Sequence, residues 1–144
     1  MITNRSYYGI SALVYLAVNS KGKFIGIREI ATRQNLPIRF LELVFSRLRA
    51  TDIVKSTRGA AGGYQLARVP NEITLAEVIS VCEGSSEFVL PSTVTERVGP
   101  DDPIGKSLVK IMNEQFALLH RNLAATTLAD IIRSSGLAAE MYWI

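Results

Sequence analysis

A glycine-rich stretch between residues 53 and 67 restricts the possible folds of this chain more than any other. It starts with residues of alternating character, Ile53–Ser56, and such alternation with β-branched residues predicts a short strand. Three glycines then allow a tight reversal of the backbone, and Tyr64–Leu66 resume a strand. We therefore predict a two-stranded hairpin whose exposed tip carries Arg58 and Gly59.

Three amphipathic helices are predicted before the hairpin. Apolar residues recur at helical spacing over residues 4–19, 26–34 and 37–50. A turn follows the second helix, and Pro37 suits the first position of the third helix. Two short helices joined by such a turn, followed by a basic-tipped hairpin, are typical of a winged helix-turn-helix DNA-binding domain. We expect a mainly α-helical fold with a small β-wing.

The third helix is the candidate recognition helix, whose N-terminal turns would meet the base edges in the major groove. Arg39 could bind guanine, Glu42 could accept a hydrogen bond from cytosine, and Phe40 could touch a thymine methyl group. For Phe40 and Leu43, packing in the core is the alternative. Two arginines further along the helix suit phosphate contacts. The candidate DNA-binding residues are Arg28, Arg39, Phe40, Glu42, Leu43, Arg47 and Arg49 on the helices, and Arg58 and Gly59 on the hairpin.

The charge of the chain is distributed unevenly between its two halves. Residues 1–68 contain eleven Lys or Arg and three acidic residues, a net charge of +8. Residues 69–144 contain five Lys or Arg and ten acidic residues, a net charge of −5. A basic part joined to an acidic part is typical of a polyanion-binding unit followed by a unit with another task. Ordinary surface charge is the alternative, but the change of sign coincides with the end of the predicted hairpin.

The chain after the hairpin is predicted to form a fourth helix, a loop and a long helix. Thr74 and Glu77 have the spacing of a capping box, which opens a helix that ends at Glu83. Residues 84–102 show no sustained periodicity and predict a loop, and no internal repeat is evident. We expect three segments: a winged helix-turn-helix domain at 1–83, a loop at 84–103, and a dimerisation helix, a short last helix and a tail at 104–144.

The long helix carries an apolar seam that exceeds what a small domain needs to cover. Its residues recur at steps of three and four: Ile104, Leu108, Ile111, Gln115, Leu118 or Leu119, and Leu123. Because helix-turn-helix proteins commonly bind paired half-sites, we predict that this helix packs on its symmetry mate in a homodimer. The alternative is that the seam docks onto the first helix of the same chain.

The residues needed for catalysis or metal binding are largely missing. The chain has one His, His120, and one Cys, Cys82, with no zinc spacing, phosphate loop or nucleophile motif. Cys82 on an amphipathic helix suits a buried packing residue, and a redox-sensing thiol is the alternative. No apolar run reaches the ~18 residues of a membrane span, and no cleavage-like site follows the N-terminus. We expect a cytoplasmic protein that is not an enzyme and has no catalytic or metal site.

The chain resembles the Rrf2 family of bacterial winged-helix transcription regulators. The resemblance is carried by three groups of residues: Ala31, Leu41-Glu42 and Phe45–Arg49 in the recognition segment; Val54–Ser56, Arg58-Gly59, Gly62–Tyr64 and Leu66 in the wing; and Ile73-Thr74, Val78-Ile79, Glu83-Gly84 and Thr126–Leu128 beyond it. It implies a homodimeric repressor with the helix of Glu42 in the major groove and the Arg58 tip toward the minor groove. Tyr64 of the wing completes the candidate DNA-binding residues.

The resemblance carries two further implications, for a cofactor and for a partner. Family members with an iron–sulfur cluster have three cysteines in the loop before the long helix, and thiolates hold such clusters; residues 84–103 contain no Cys, so we expect no cofactor. The aromatic and isoleucine ending then resembles the cluster-free branch that represses cysteine metabolism. That likeness implies cysteine synthase as a partner, bound through Tyr142, Trp143 and Ile144, unless this tail packs against the dimer.

Overall fold

The computed structural model describes residues 2–85 and 88–137, which form seven helices and one two-stranded sheet within those ranges. The tail residues Tyr142, Trp143 and Ile144 lie outside the described residues. In chain order the elements are α1 (Asn4–Asn19), α2 (Ile27–Gln34), α3 (Ile38–Ala50), β1 (Val54–Thr57), β2 (Gly63–Leu66), a 3-10 turn (Pro70–Glu72), α4 (Leu75–Glu83), α5 (Ser92–Thr95), α6 (Pro103–Ala124) and α7 (Leu128–Ser135).

The helix-turn-helix motif is formed by α2 and α3, as predicted. Asn35 ends α2 in the left-handed conformation, and its N–H reaches back to carbonyls of the last turn. The third helix begins one residue later than predicted, at Ile38. Pro37 is its N-cap and has extended backbone. A proline there costs no helical hydrogen bond, because the first N–H groups of a helix have no intrahelical acceptor.

The core lies where α1, α3, α4 and α7 meet, and it is built from aliphatic residues around Phe45. Each helix contributes one apolar face, as the helical spacing of its residues requires. The residues without solvent exposure include Leu13, Leu16, Ile30, Leu41, Phe45, Leu48, Ile73, Val78, Leu128 and Ile132. Because α7 supplies two of them, the last helix packs in the winged-helix domain rather than beside the exposed part of α6.

The hairpin is an antiparallel pair in which Val54 lies opposite Leu66 and Thr57 opposite Gly63. The strand begins at Val54, so Ile53, which alternation placed in the strand, precedes it and is buried against the core. The structure adds a third short segment: Ile25 forms an antiparallel bridge with Tyr64. The Ile25 N–H donates to the Tyr64 carbonyl at 2.9 Å, and the Tyr64 N–H donates to the Ile25 carbonyl at 2.7 Å.

The segment predicted as a continuous loop between α4 and α6 contains a helical turn, so the prediction was wrong at Ser92–Thr95. Pro91 precedes this turn, and its carbonyl accepts from Val94 N–H at 2.9 Å. Four residues are too few to produce the apolar periodicity by which a helix is recognised in a sequence. The segment is attached to α6, since Leu90 N–H donates to Asn113 Oδ1 at 3.0 Å and Asp102 caps the first turn at Gly105 N–H, 2.8 Å away.

The starts of α4 and α7 are alike in sequence and paired in space. Residues 74–79 read Thr-Leu-Ala-Glu-Val-Ile and residues 127–132 read Thr-Leu-Ala-Asp-Ile-Ile. Both copies form a complete capping box, with Thr74 and Thr127 as the N-caps. The two threonines face each other in an isolated antiparallel bridge.

Candidate nucleic-acid interface

The exposed side of α3 is the centre of the candidate interface. Leu41, Val44, Phe45 and Leu48 bury the opposite side of the helix, and this orientation turns the positions between them outward. The exposed residues follow helical spacing and occupy one face: Arg39, Glu42, Leu43, Ser46 and Arg49. Leu43 keeps 51% of its surface exposed, so the alternative of core packing does not hold for it. A base-reading helix of the winged type offers a face of this composition.

Two of the predicted residues on α3 are half-buried and contact other helices of the chain. The Phe40 ring is half-buried and meets the Tyr8 ring of α1 edge to face, with centroids 5.4 Å apart. Arg47 is also half-buried, and its Nη1 donates to the Cys82 carbonyl at the end of α4, 3.3 Å away. These contacts fix the recognition helix against α1 and α4.

The wing lies beside the C-terminal half of α3. Arg49 Nη1 is 3.5 Å from Ser56 Oγ of β1, so the end of the recognition helix and the first strand of the wing are neighbours. Arg58 and Gly59 are exposed at the tip, as predicted, and Gly59 has a φ of +103°, which L side chains rarely adopt. Tyr64 lies at the base of the wing instead, where its ring contacts the Phe45 ring with centroids 4.7 Å apart.

Arg28 is exposed on α2, beside the start of the recognition helix. It lines a shallow groove with Ala31, Thr32, Leu36 and Ile38. The predicted set is thus divided by the fold into exposed and packed members. The exposed members are Arg28, Arg39, Glu42, Leu43, Arg49, Arg58 and Gly59, and the packed members are Phe40, Arg47 and Tyr64.

Sequence reasoning missed the bridge that holds the wing, because Ile25 lies outside any strand pattern. The only local signal was an apolar pair at residues 24 and 25 with glycines at 22 and 26 on either side. Gly63 allows the contact: a Cβ there would lie 2.3 Å from the Ile25 carbonyl carbon and oxygen. The wing is therefore attached to the segment between α1 and α2 through the backbone.

The residues present do not fit a thiolate-bound metal cluster. Cys82 is the only Cys of the chain, and it is fully buried on α4, outside the loop at 84–103. Burial, and secondarily the charge of Glu83, raise the pKa of Cys82 to about 12 despite the opposing effect of Arg47, whereas metal binding requires the thiolate. Within 2–85 and 88–137, no three His, Cys, Asp or Glu residues lie close enough to hold a metal ion.

A second exposed surface runs along α6. Ile104, Leu108 and Ile111 expose 79%, 57% and 53% of their surfaces. The seam is therefore not packed against α1 of the same chain, and the alternative considered from the sequence does not hold. Among the described residues, no helix combines the length and the apolarity required to cross a bilayer.

Comparison with known proteins gives a consistent result. A family model described as Rrf2, iron-dependent transcriptional regulator, matches residues 2–134. The candidate HTH-type transcriptional regulator slr0846 of Synechocystis sp. is 32% identical over 130 residues, which are 90% of this chain and 86% of that protein.

Two solved structures share the fold over nearly the whole chain. CymR, the global cysteine regulator of B. subtilis, gives a TM-score of 0.75 at 29% identity over 93% of this chain and 97% of CymR. T. potens IscR gives a TM-score of 0.68 at 31% identity over 94% of this chain and 88% of IscR. The two identities are nearly equal. The chain therefore belongs to the Rrf2 family of winged-helix, DNA-binding transcriptional regulators and is not an enzyme.

Proposed function

We propose that the protein is a cytoplasmic, homodimeric repressor that reads an inverted-repeat operator without an iron–sulfur cluster. The observation that carries this proposal is the exposed face of α3 beside a wing with an arginine at its tip. Arg39, Glu42 and Leu43 occupy the first two turns of the recognition helix. In a helix-turn-helix these turns meet the base edges of the major groove.

Each exposed residue has a chemical role in this proposal. Arg39 donates to guanine, Glu42 accepts from the cytosine amino group, and Leu43 offers an apolar contact to a thymine methyl group. Arg28 and Arg49 flank these residues and suit phosphates. The three packed members of the predicted set support the surface from behind: Phe40 through Tyr8, Arg47 through the end of α4, and Tyr64 through Phe45.

The wing adds a second contact with the duplex. Arg58 is exposed at the tip of the hairpin, and Gly59 beside it leaves space for close approach to the backbone of the DNA. An arginine in a narrow minor groove is favoured by the negative potential there. We propose that Arg58 enters the minor groove next to the major-groove site of α3.

The exposed seam of α6 supports the homodimer. Leaving several large aliphatic side chains in water is unfavourable, since burying one stabilises by about 1.5–3 kcal/mol. The seam lies on one long helix, and pairing with the same helix of a second copy would cover it on both chains. Such a dimer presents two winged-helix domains, here termed heads, and each head can bind one half of an inverted repeat.

The proposal that the protein holds no iron–sulfur cluster rests on the cysteine thiols available as ligands. A chain with one buried thiol of raised pKa lacks the several accessible thiolates that iron–sulfur clusters require. DNA binding by the protein as purified, without iron, is the direct consequence.

The test is selection of binding sites from a pool of random duplexes at a stated salt concentration, because phosphate contacts make affinity depend on salt. Recovery of an inverted repeat by the iron-free protein is expected. Recovery of unrelated sequences, or of sites only after reconstitution with iron and sulfide, would contradict the proposal.

Two substitutions then test the reading surface on the selected operator. Glu42→Ala is expected to relax specificity at one base position by about 1–3 kcal/mol. Arg58→Ala should weaken binding and reduce the salt dependence by about one counterion. Arg97→Ala removes an exposed cation from the segment before α6 and serves as the matched control. Unchanged binding by both head variants would show that the assigned surface is wrong.

Control of cysteine or sulfur metabolism is a second, finer proposal. Its support is the match to CymR over nearly the entire length of both chains, together with the lack of cluster ligands. The associated proposal, that cysteine synthase binds Tyr142, Trp143 and Ile144, concerns residues outside those described. A pull-down with the full chain and with a chain lacking these three residues tests it, and equal capture would contradict the role of the tail.

A further inference from the structure

The paired starts of α4 and α7 connect the DNA-binding head to the end of α6. The Leu75 N–H donates to the Thr126 carbonyl at 2.8 Å, and the Leu128 N–H donates to the Ile73 carbonyl at 3.0 Å. The two bonds join equivalent positions of the two similar segments. The pairing is therefore reciprocal: the residue before the N-cap of each helix accepts a hydrogen bond from the first N–H of the other helix.

Each side of this pairing is anchored independently. Thr74 N–H donates to Glu77 Oε2 at 3.1 Å, and Thr127 N–H donates to Asp130 Oδ2 at 2.8 Å. These capping boxes fix the backbone at both threonines. Ile73 and Leu128 next to them have no solvent exposure, so the pairing lies directly on the hydrophobic core.

The pairing is close to the end of the long helix. Ala125 caps α6, and its N–H still bonds to the carbonyls of Arg121 and Asn122. Only Ala125 and Thr126 separate the end of α6 at Ala124 from the bridge at Thr127. A chain this short between a helix and a fixed bridge leaves α6 little freedom to rotate relative to the head.

We infer that this pairing, formed by residues 73–75 and 126–128 and here termed the α4–α7 joint, sets the angle at which the head is held on α6. The inference rests on the proposed dimer. If α6 is the element shared between two copies, the angle between α6 and each head determines the separation of the two recognition helices. The joint then acts as a positioning element for operator spacing, with no contact to DNA of its own.

The chain offers a substitution that removes one bond of the joint with little other change. Leu75 is the first residue of α4, where proline fits without a clash and its missing N–H breaks no helical bond. Thr74 has extended backbone, φ −88° and ψ 154°, which the residue before a proline prefers. Leu75→Pro therefore deletes the bond to Thr126, and Leu75→Ala removes the side chain while keeping the N–H.

The experiment measures affinity for the selected inverted repeat, for repeats with one base pair added or removed between the half-sites, and for a single half-site. Loss of one hydrogen bond predicts that discrimination between spacings falls about fivefold in Leu75→Pro. Leu75→Ala should keep the discrimination of the unsubstituted protein. Affinity for the single half-site should be equal in all three proteins.

The outcomes separate this inference from the proposed function. Unchanged spacing discrimination in Leu75→Pro, or an equal loss in Leu75→Ala, would overturn the inference. A loss of half-site affinity confined to Leu75→Pro would also overturn it, because the bond would then serve the head itself. If the unsubstituted protein showed no preference for any spacing, the proposed dimeric reader would be wrong instead.

Discussion

The Sγ atom of Cys82 on α4 lies directly over Gly9 of α1, where a Cβ on residue 9 would be only 2.4 Å from the sulfur. The two helices approach closely at this point because one contributes no side chain and the other contributes a small one. Cys82 has no solvent exposure, so the sulfur fills the space above the glycine. This packing accounts for the cysteine without any redox role.

Gly9→Ala should therefore destabilise the protein. Helix propensity alone would favour alanine by about 1 kcal/mol, but overpacking a filled core costs about 1–3 kcal/mol. Denaturant unfolding of four proteins, with and without Cys82→Ala, measures the balance. In the Cys82→Ala background the clash is gone, and Gly9→Ala should become neutral or stabilising. If the effects of the two substitutions on the free energy of unfolding were simply additive, this packing would be contradicted.

The thiol of Cys82 should be inert in the folded protein. Burial raises its pKa to about 12, and the thiolate is the reactive form. Alkylation at pH 8 is expected only at the rate at which the protein unfolds, and rapidly in denaturant. Peroxide should leave operator binding unchanged in both the native protein and Cys82→Ser. A peroxide response that disappears in Cys82→Ser would restore the redox-sensor alternative.

Gly63→Ala should release the wing from its support. The new Cβ would lie 2.3 Å from backbone atoms of Ile25, and backbone cannot rotate away as a side chain can. Loss of the two bridge hydrogen bonds predicts operator affinity lower by about tenfold or more. Limited proteolysis should cut the hairpin faster. Gly99→Ala, where no atom lies within 4 Å of the added Cβ, is the control; equal behaviour of both variants would refute the prediction.

Glu83 should make stability depend on pH in the acid range. Partial burial alone would raise the pKa of Glu83, but hydrogen bonds from Ser6 and Thr3 outweigh it and hold the pKa below its ordinary value of 4.5. Ser6 Oγ and Thr3 Oγ1 both lie 2.7 Å from Glu83 Oε1. A lowered folded-state pKa means that the contribution is complete above pH 4.5 and is lost as the pH falls through the folded-state value.

Urea unfolding at several pH values tests this linkage. Glu83→Gln should be less stable than the unsubstituted protein at pH 7, and the difference should shrink below pH 4.5. Glu96→Gln, on an exposed residue after α5, serves as the matched control. A stability difference for Glu83→Gln that is constant between pH 7 and pH 3 would show that the carboxylate charge has no part in it.

Ile111→Asp should prevent dimerisation while leaving the head folded. Ile111 is more than half exposed in the single chain, so the aspartate is costly only if a partner covers it. Lys110→Asp places the same carboxylate one position away on the helix. Sedimentation should show a monomer for Ile111→Asp and a dimer for Lys110→Asp, with similar circular dichroism. A dimeric Ile111→Asp would contradict pairing through α6.

The sequence alone determined the elements whose signals are local. Helical spacing, a capping box and three glycines were enough to place the first four helices and both strands within about one residue of their observed ends. The exposed face of α3 followed from the same spacing. The lack of thiolate ligands for a cluster follows directly from the sequence, because the number of cysteines does not depend on the fold. The four-residue helix α5 was missed because it spans barely one turn, and apolar periodicity needs several turns to show.

Only the tertiary structure decided what depends on pairs of residues far apart in the chain. It assigned Phe40, Arg47 and Tyr64 to packing, because their partners lie on α1, on α4 and within the core. It attached the wing through Ile25 and placed α7 in the head through the pairing of Thr74 with Thr127. Such contacts arise from the close packing of whole elements, and no periodicity within a single element contains them.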